Sequence, residues 1–224
     1  MEQELRLYNI EFKSEEGSRT IEGRAIPFNI WSPNREGFRE RILPEAVAGV
    51  IENSDIKMLY NHDGSQGFLA RSNKGRGKLK IDVREDGVYF KFDAKKDNLS
   101  NYILERIQSG ELSETSFAFT VGEDQWEKAA DGVYERSITQ FRALYDFSVV
   151  DNSYYGIENA VGCKRFAELQ EEERIENEKR MQEEEEKRKA EEEAQREQEA
   201  KEAQDKLDNY YKELKESYKD IINN

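Results

Sequence analysis

The stretch LSETSFAF, from Leu112 to Phe119, contains the strand around which this 224-residue chain is organised. Aromatic residues alternate in it with small or polar residues, which is the period of a strand with one buried face. We predict a strand from Thr115 to Val121 whose apolar side carries Phe117, Phe119 and Val121. On this pattern Ser116 lies on the other, polar side.

Other segments that read as strands precede and follow this one, at Leu5–Phe12, Thr20–Phe28, Ile56–Tyr60, Leu79–Val83, Val88–Phe92 and Val133–Ser148. A turn around Gly17 predicts that the first two form a strand pair, and Gly87 predicts a hairpin of the fourth and fifth. Two short helices are expected, one from Pro44 to Ile51 and one from Asn98 or Ser100 to Gln108. The sequence therefore predicts an α+β domain made mostly of strands.

The composition changes at the end of this domain, which divides the chain into residues 1–165 and a tail of residues 166–224. The tail is rich in Glu, Lys, Arg, Gln and Ala, and Glu precedes Lys or Arg by four residues at 183/187, 184/188 and 185/189. This spacing supports a solvated helix. Near its end, apolar residues recur at alternating spacings of three and four, with Ser217 interrupting the set, which indicates a short coiled-coil seam or a stripe that packs on a partner: Ala200, Ala203, Leu207, Tyr210, Leu214 and Ile221.

The overall charge and the cysteine content narrow the classes of function. The net charge is -14 and the pI is near 4.8, and no basic patch with interleaved aromatic residues is present, which disfavours direct binding of nucleic acid. Cys163 is the single cysteine, so an internal disulfide is impossible and a reducing compartment fits. No signal-peptide or transmembrane pattern is found. We expect a soluble, intracellular protein without membrane association.

The residues that could carry chemistry are Ser116, His62 and Asp146. A serine hydroxyl is a poor nucleophile at neutral pH unless a base takes its proton, and His62 is the only histidine that could do so. Asp146 interrupts an apolar run, so a buried carboxylate there needs a partner. Asp63 is the alternative acid, and the alternative nucleophiles are Ser109, Ser113 and Ser148.

Structural roles for the same residues remain open at this stage. A lone histidine is more often a surface or hydrogen-bonded buried residue than a base, and Ser116 fits the polar face of a strand equally well. A metal site is not expected, because zinc requires several His or Cys ligands and the chain has one residue of each type.

In their order and separations, the motifs between Leu5 and Cys163 resemble the prohead proteases of tailed bacteriophages, also called the caudoviral procapsid maturation serine proteases. The segments that carry the resemblance are Ile21–Asn29, Glu40–Val47, Leu59–Asp63, Gly110–Leu112 with Thr115–Phe119, and Leu144–Val150 before Tyr154 and Tyr155. The chain departs from the family pattern twice. Asp146 stands where Glu is common, and Asn152–Tyr154 stands where Pro-Ala-Tyr is frequent.

The resemblance implies a fold similar to that of the herpesvirus assembly proteases, a mixed, mainly antiparallel β-barrel flanked by short helices, here followed by the charged helix. It implies a serine endopeptidase without cofactor, with Ser116 as nucleophile, His62 as base and Asp146 as the third member. The expected substrates are the scaffold protein, the scaffolding region of the major capsid protein, and the enzyme itself. Cleavage is expected inside the procapsid, in the host cytoplasm.

The tail resembles the coiled-coil scaffold regions of phage capsid assembly and is expected to target the enzyme or to act as scaffold, with a homo-oligomer through the helix as a further expectation. Two other classes stay open. One is a catalytically inactive capsid assembly or scaffolding protein, and the other is an unrelated intracellular binding barrel.

Overall fold

The structure is a computed structural model that describes residues 3–9, 14–34, 37–151 and 160–222. It divides into two compact units, Met1–Phe166 and Ala167–Asn224. Parts of the sequence-based expectations lie outside the described ranges: residues 10–12 of the first predicted strand, and the departure at residues 152–154 with Tyr155. No helix within the described ranges combines the length and the apolar character needed to span a membrane.

The first unit contains a seven-stranded mixed sheet. Its strands are β1 (Glu4–Asn9), β3 (Phe38–Ile42), β4 (Asp55–Tyr60), β5 (Ala70–Asn73), β6 (Arg76–Gly77), β9 (Glu114–Lys128) and β10 (Tyr134–Val150). They run in the order β1–β9–β10–β4–β5–β6, and β3 also pairs with β10. The pairs of β10 with β3 and with β4 are parallel, while β10 with β9 and β9 with β1 are antiparallel.

A second, three-stranded sheet has the order β2–β8–β7, made of β2 (Thr20–Pro27), β7 (Lys80–Arg84) and β8 (Gly87–Asp93). Both sheets contribute to one apolar core, in which the rings of Phe90 and Phe147 lie 6.3 Å apart between centroids. Neither sheet closes on itself among the described residues, since the first ends at β1 and β6 and the second at β2 and β7. The α+β class and the mixed strands are confirmed, but a closed barrel is not observed in this part of the chain.

The predicted pairing of the first two strands is wrong. β1 pairs with β9 and β2 pairs with β8, so the turn at Gly17 joins strands of different sheets. Alternation in a sequence identifies the buried face of a strand, but it contains no information about which strand lies beside it. The predicted hairpin of β7 and β8 is confirmed.

The helices follow their local signals with small shifts. The segment after Pro44 is divided into a 3-10 turn, Pro44–Val47, and a short helix α1, Val50–Asn53, because Gly49 adopts the left-handed conformation between them. Helix α2 spans Asn98–Gln108 and is capped by Asp97, whose carboxylate accepts the backbone N–H of Ser100 at 2.8 Å. The N-cap is therefore Asp97, one residue before Asn98, the first of the two caps predicted from the sequence.

Helix α3 spans Ala160–Ile222 and is exposed over most of its described length. The expected ion pair between Glu185 and Lys189 forms at 2.7 Å, and Arg188 pairs with Glu192 at 3.8 Å. Within the seam predicted near its end, Leu207 and Tyr210 are exposed, and the side chains of Leu214 and Ile221 lie outside the described part.

A buried ionic network joins the N-terminal strand to the central strands. Glu4, Arg6, Glu40 and Arg136 are each at most 4 % exposed, although they carry full charges. Arg6 binds both glutamates, donating to Glu40 Oε2 at 2.8 Å, and Arg136 donates to Glu4 Oε2 at 3.0 Å and to Glu40 Oε2 at 3.2 Å. Buried charges are tolerated only when they are paired in this way, so β1, β3 and β10 depend on one another.

Burial and the neighbouring arginines shift the pKa of Glu40 in opposite directions. Burial alone would raise the pKa of its carboxyl group, but the adjacent Arg6 and Arg136 guanidinium groups outweigh burial and hold the pKa below its usual value of 4.5. A lowered pKa in the folded state means that ionised Glu40 stabilises the fold above the pKa of the unfolded chain. This stabilisation is lost as the pH falls through the lower pKa of the folded state.

We predict that Glu40→Gln lowers the free energy of unfolding at pH 7 by about 3 kcal/mol, because both arginines would keep their charge with less compensation. The loss should shrink as the pH falls through the acidic range, where Glu40 itself becomes protonated. Urea unfolding followed by the fluorescence of Trp31 and Trp126 measures this, since both tryptophans lie in the first unit. Asp82→Asn, which removes an exposed ion pair with Arg84, is the control and should leave the midpoint unchanged. Equal effects of the two substitutions would contradict the prediction.

Candidate active site

His62 lies in a tight turn directly after β4. The backbone N–H of Asp63 donates to the carbonyl oxygen of Tyr60 at 3.0 Å, which closes the turn over Asn61 and His62. Both residues have positive φ angles, 51° and 57°. Asn and His are among the few residue types that are enriched in this left-handed region. The sequence Asn61-His62 thus suits a turn that moves the imidazole out of the line of the strand.

The turn is attached to the rest of the structure by Asp151, just after β10. The Asn61 side-chain amide donates to Asp151 Oδ1 at 3.1 Å, and the Asp151 backbone N–H donates to Asn61 Oδ1 at 3.2 Å. The hydroxyl of Tyr60 donates to Asp151 Oδ2 at 2.6 Å. Burial and the nearby Asp151 carboxylate raise the pKa of the Tyr60 hydroxyl, so it stays protonated as a donor.

A bulge in β10 sets the face on which Asp146 lies. Opposite β9, Leu144 pairs with Phe119 and Asp146 pairs with Ala118, so that Tyr145 is an extra residue in the ladder. Leu144 and Phe147 therefore both contact the core although they are three positions apart. Beyond the bulge the alternation resumes, and Asp146 and Ser148 share the face of β10 that is opposite Phe147.

Strand pairing then brings the three predicted residues together. Ser148 is the direct partner of Ser116 across the β9–β10 ladder, which puts both side chains on the same face. On the other side of β10, β4 runs parallel, and its continuation donates the Asn61 N–H to the carbonyl oxygen of Val149 at 2.9 Å. The turn that contains His62 therefore begins next to the segment of β10 that carries Asp146 and Ser148.

The three side chains form one continuous chain of hydrogen bonds. His62 Nε2 lies 2.7 Å from Ser116 Oγ, and His62 Nδ1 lies 2.6 Å from Asp146 Oδ1. Ser116 and Asp146 are buried, at 4 % and 6 % exposure, while the His62 side chain remains 17 % exposed. Asp146, which stands where the family commonly has the longer Glu, thus contacts the imidazole directly. Such an arrangement can move a proton from a hydroxyl to an imidazole whose cation is stabilised by a carboxylate.

Three of the alternatives considered from the sequence, Asp63, Ser109 and Ser113, are not part of this chain of hydrogen bonds. The Asp63 carboxylate accepts the Ser65 N–H at 2.8 Å and the Gln66 amide at 3.3 Å, and its pKa is lowered mainly by the bonds to Ser65. Ser109 donates to the carbonyl oxygen of Arg106 at the end of α2, and Ser113 is exposed. Asp63 thus supports the loop after the turn.

The role of Ser148 was missed by sequence reasoning, which treated it only as a competing nucleophile. It is fully buried, donates to Asp146 Oδ1 at 2.9 Å and accepts the backbone N–H of His62 at 3.2 Å. The one signal in the sequence is its position two residues after Asp146, which puts both on one face of a strand. In the described ranges, no group of three or more His, Cys, Asp or Glu side chains is arranged to hold a metal ion.

Comparisons with known proteins found one solved structure and one family model that resemble this chain. The chain is similar to a solved structure of the bacteriophage T4 capsid assembly protease, gp21, with 10 % sequence identity and a TM-score of 0.40 over 67 % of this chain and 99 % of that one. No curated protein sequence matches the chain. The family model described as caudovirus prohead serine protease matches residues 6–171, which is most of the chain. The chain therefore belongs to the caudovirus prohead serine protease family.

Proposed function

We propose that this protein is a serine endopeptidase in which Ser116 is the nucleophile, His62 the general base and Asp146 the acid that orients it. The observation that supports this most directly is the hydrogen-bonded chain from Ser116 Oγ through both ring nitrogens of His62 to Asp146 Oδ1. Membership of a serine protease family supports the same reading. No metal or cofactor has a part in the proposed reaction.

In the first half of the reaction, His62 Nε2 takes the proton of Ser116 as Oγ attacks the carbonyl carbon of a peptide bond. The imidazolium that forms is stabilised by Asp146 at Nδ1. His62 then gives this proton to the leaving amine, the C–N bond breaks, and the acyl group stays on Ser116. In the second half, a water attacks the ester with His62 again as base, which releases the acid and restores the serine.

The substrates that fit this family are proteins of the forming capsid. We infer that the enzyme cuts a scaffold protein, or the scaffolding region of the major capsid protein, inside the procapsid within the host cell, and that it also cuts itself.

We further propose that the protease domain, residues 1–165, and the tail, residues 166–224, have separate roles, with the tail directing the enzyme into the shell or serving as scaffold. Many exposed ion pairs keep the helix solvated, for example Arg174 with Glu171 at 2.6 Å and with Glu178 at 2.8 Å. Leu207, Tyr210 and Tyr211 are nevertheless exposed. An exposed apolar stripe of this kind supports pairing with another helix, including a second copy of this one.

The roles of Ser116 and His62 can be tested by chemical labelling. A fluorophosphonate, which reacts with activated serine hydroxyls, should label the wild-type chain at Ser116, and mass spectrometry locates the adduct. Ser116→Ala should remove labelling, and His62→Ala should slow it by about four orders of magnitude, because the hydroxyl loses its base. Ser113→Ala is the matched control and should react as the wild type does. Equal labelling of all four proteins would refute the assignment.

A finer prediction concerns Asp146. In Asp146→Asn the side-chain amide can donate a hydrogen bond to His62 Nδ1. This favours the tautomer of His62 that carries its proton on Nε2. A protonated Nε2 can no longer accept the proton of Ser116. We expect labelling to slow by about four orders of magnitude with little loss of stability. Asp63→Asn should leave the rate unchanged, since that carboxylate contacts Ser65 and Gln66. A large effect of Asp63→Asn with none of Asp146→Asn would move the acid role to Asp63.

Deletion of residues 168–224 tests the separate role of the tail. The deletion keeps Phe166, which is buried and packs its ring against Phe38 and Tyr134 within the first unit. We expect the shortened chain to react with the fluorophosphonate at the wild-type rate but to be absent from procapsids assembled in host cells, as measured by mass spectrometry of purified shells. Loss of both properties would contradict independent roles for the two parts.

A further inference from the structure

We propose that Ser148 is a positioning residue that aligns the Asp146 carboxylate with the His62 imidazole. The catalytic consequence rests on the function proposed above, but the alignment itself is a property of the resting protein. It can therefore be measured without a substrate.

The contacts of Ser148 connect the acid to both parts of His62. Its Oγ lies 2.9 Å from Asp146 Oδ1, 3.2 Å from the backbone nitrogen of His62 and 3.2 Å from His62 Nδ1. The side chain is fully buried, so water does not compete for these bonds. A single hydroxyl thus contacts the acid, the ring and the backbone of the base.

The number of protons on Ser148 Oγ decides which of its hydrogen bonds it donates and which it accepts. A hydroxyl has one proton and two lone pairs. The proton of Ser148 is donated to the Asp146 carboxylate, which accepts but cannot donate when ionised. The lone pairs then face two N–H groups, the backbone N–H of His62 and Nδ1–H. Asp146 Oδ1 is the other acceptor facing Nδ1, at 2.6 Å.

The hydrogen bonds of Ser148 hold both the Asp146 carboxylate and the turn that contains His62. Asp146 Oδ1 accepts from both Ser148 and His62, which limits rotation of the carboxylate about its χ angles. The bond from the His62 N–H holds a residue whose φ of 57° is unfavourable for most side chains. Because small misplacements in such sites cost up to about a hundredfold in rate, both effects bear on activity.

A purely structural role for Ser148 makes a different prediction. A buried serine that only fills space on a strand would, when replaced, change the stability without changing the His62–Asp146 hydrogen bond. The Nδ1 proton of His62 distinguishes the two roles. It gives a strongly downfield NMR signal when it is held by a carboxylate, and the chain has only one histidine, so the signal is unambiguous.

The experiment uses the full-length chain labelled with 15N-histidine. We expect a downfield Nδ1–H signal in the wild type, an upfield shift with faster solvent exchange in Ser148→Ala, and a signal close to wild type in Ser148→Thr, which keeps the hydroxyl. Fluorophosphonate labelling should slow about tenfold to a hundredfold in Ser148→Ala and recover in Ser148→Thr. Ser137→Ala, on the same strand but bonded to Arg41, is the matched control and should change neither reading.

Each outcome bears on the proposal. An unchanged Nδ1–H signal in a folded Ser148→Ala protein would overturn it, as would the absence of that signal in the wild type. Should Ser148→Ala fail to fold, Ser148→Cys, which retains a weaker donor, must give an intermediate shift for the proposal to stand. A shifted signal in Ser148→Ala with no labelling of any variant, wild type included, would support the positioning role and refute the proposed peptidase function.

Discussion

The antiparallel ladder between β9 and β10 is the interaction on which the rest of the first unit depends. One edge of β9 pairs with β1, and β10 pairs with β3 along residues 134–138 and with β4 along residues 146–149. The core faces of the two strands contribute Phe117, Phe119 and Phe147. Their opposite faces carry Ser116, Asp146 and Ser148. The same backbone hydrogen bonds therefore support both the core and the candidate site.

The buried charged side chains at the two ends of β10 have different partners. Near the start of β10, Arg136 belongs to a network with Glu4, Arg6 and Glu40, in which every buried charge has an opposite partner, and Arg136 also pairs with Asp124 at 2.7 Å. Near its end, the buried Asp146 carboxylate lies 2.6 Å from His62 Nδ1 and 2.9 Å from Ser148 Oγ, and no arginine of the described residues pairs with it. In the proposed reaction this carboxylate would stabilise the charge that appears on the imidazole, whereas the charges of the network residues are already balanced by their partners.

His62 lies on a tight turn beyond the end of β4, and this position lets its ring reach the Asp146 carboxylate. The side chain of a residue inside β4 would point to one of the two faces of the sheet. Beyond the strand, the positive φ angles of Asn61 and His62 allow the ring to lie between Asp146 and Ser116. The bonds to Asp151 and Ser148 offset the conformational cost of that turn.

The sequence alone determined the local features: the strand at Ser116, the hairpin of β7 and β8, helix α2 and the charged helix α3. These follow from hydrophobic period, turn residues and charge spacing, all of which act over a few neighbouring positions. The single histidine made His62 the one candidate base, but the residues alone left several serines and two aspartates as its partners, and the family resemblance selected Ser116 and Asp146. Only the tertiary structure decided which strands pair, that β1 lies on β9, that Tyr145 forms a bulge, and that Ser148 contacts both Asp146 and His62. Strand partners and register depend on contacts between residues far apart in the chain, and a one-residue bulge changes which face a side chain occupies without leaving a pattern in the sequence.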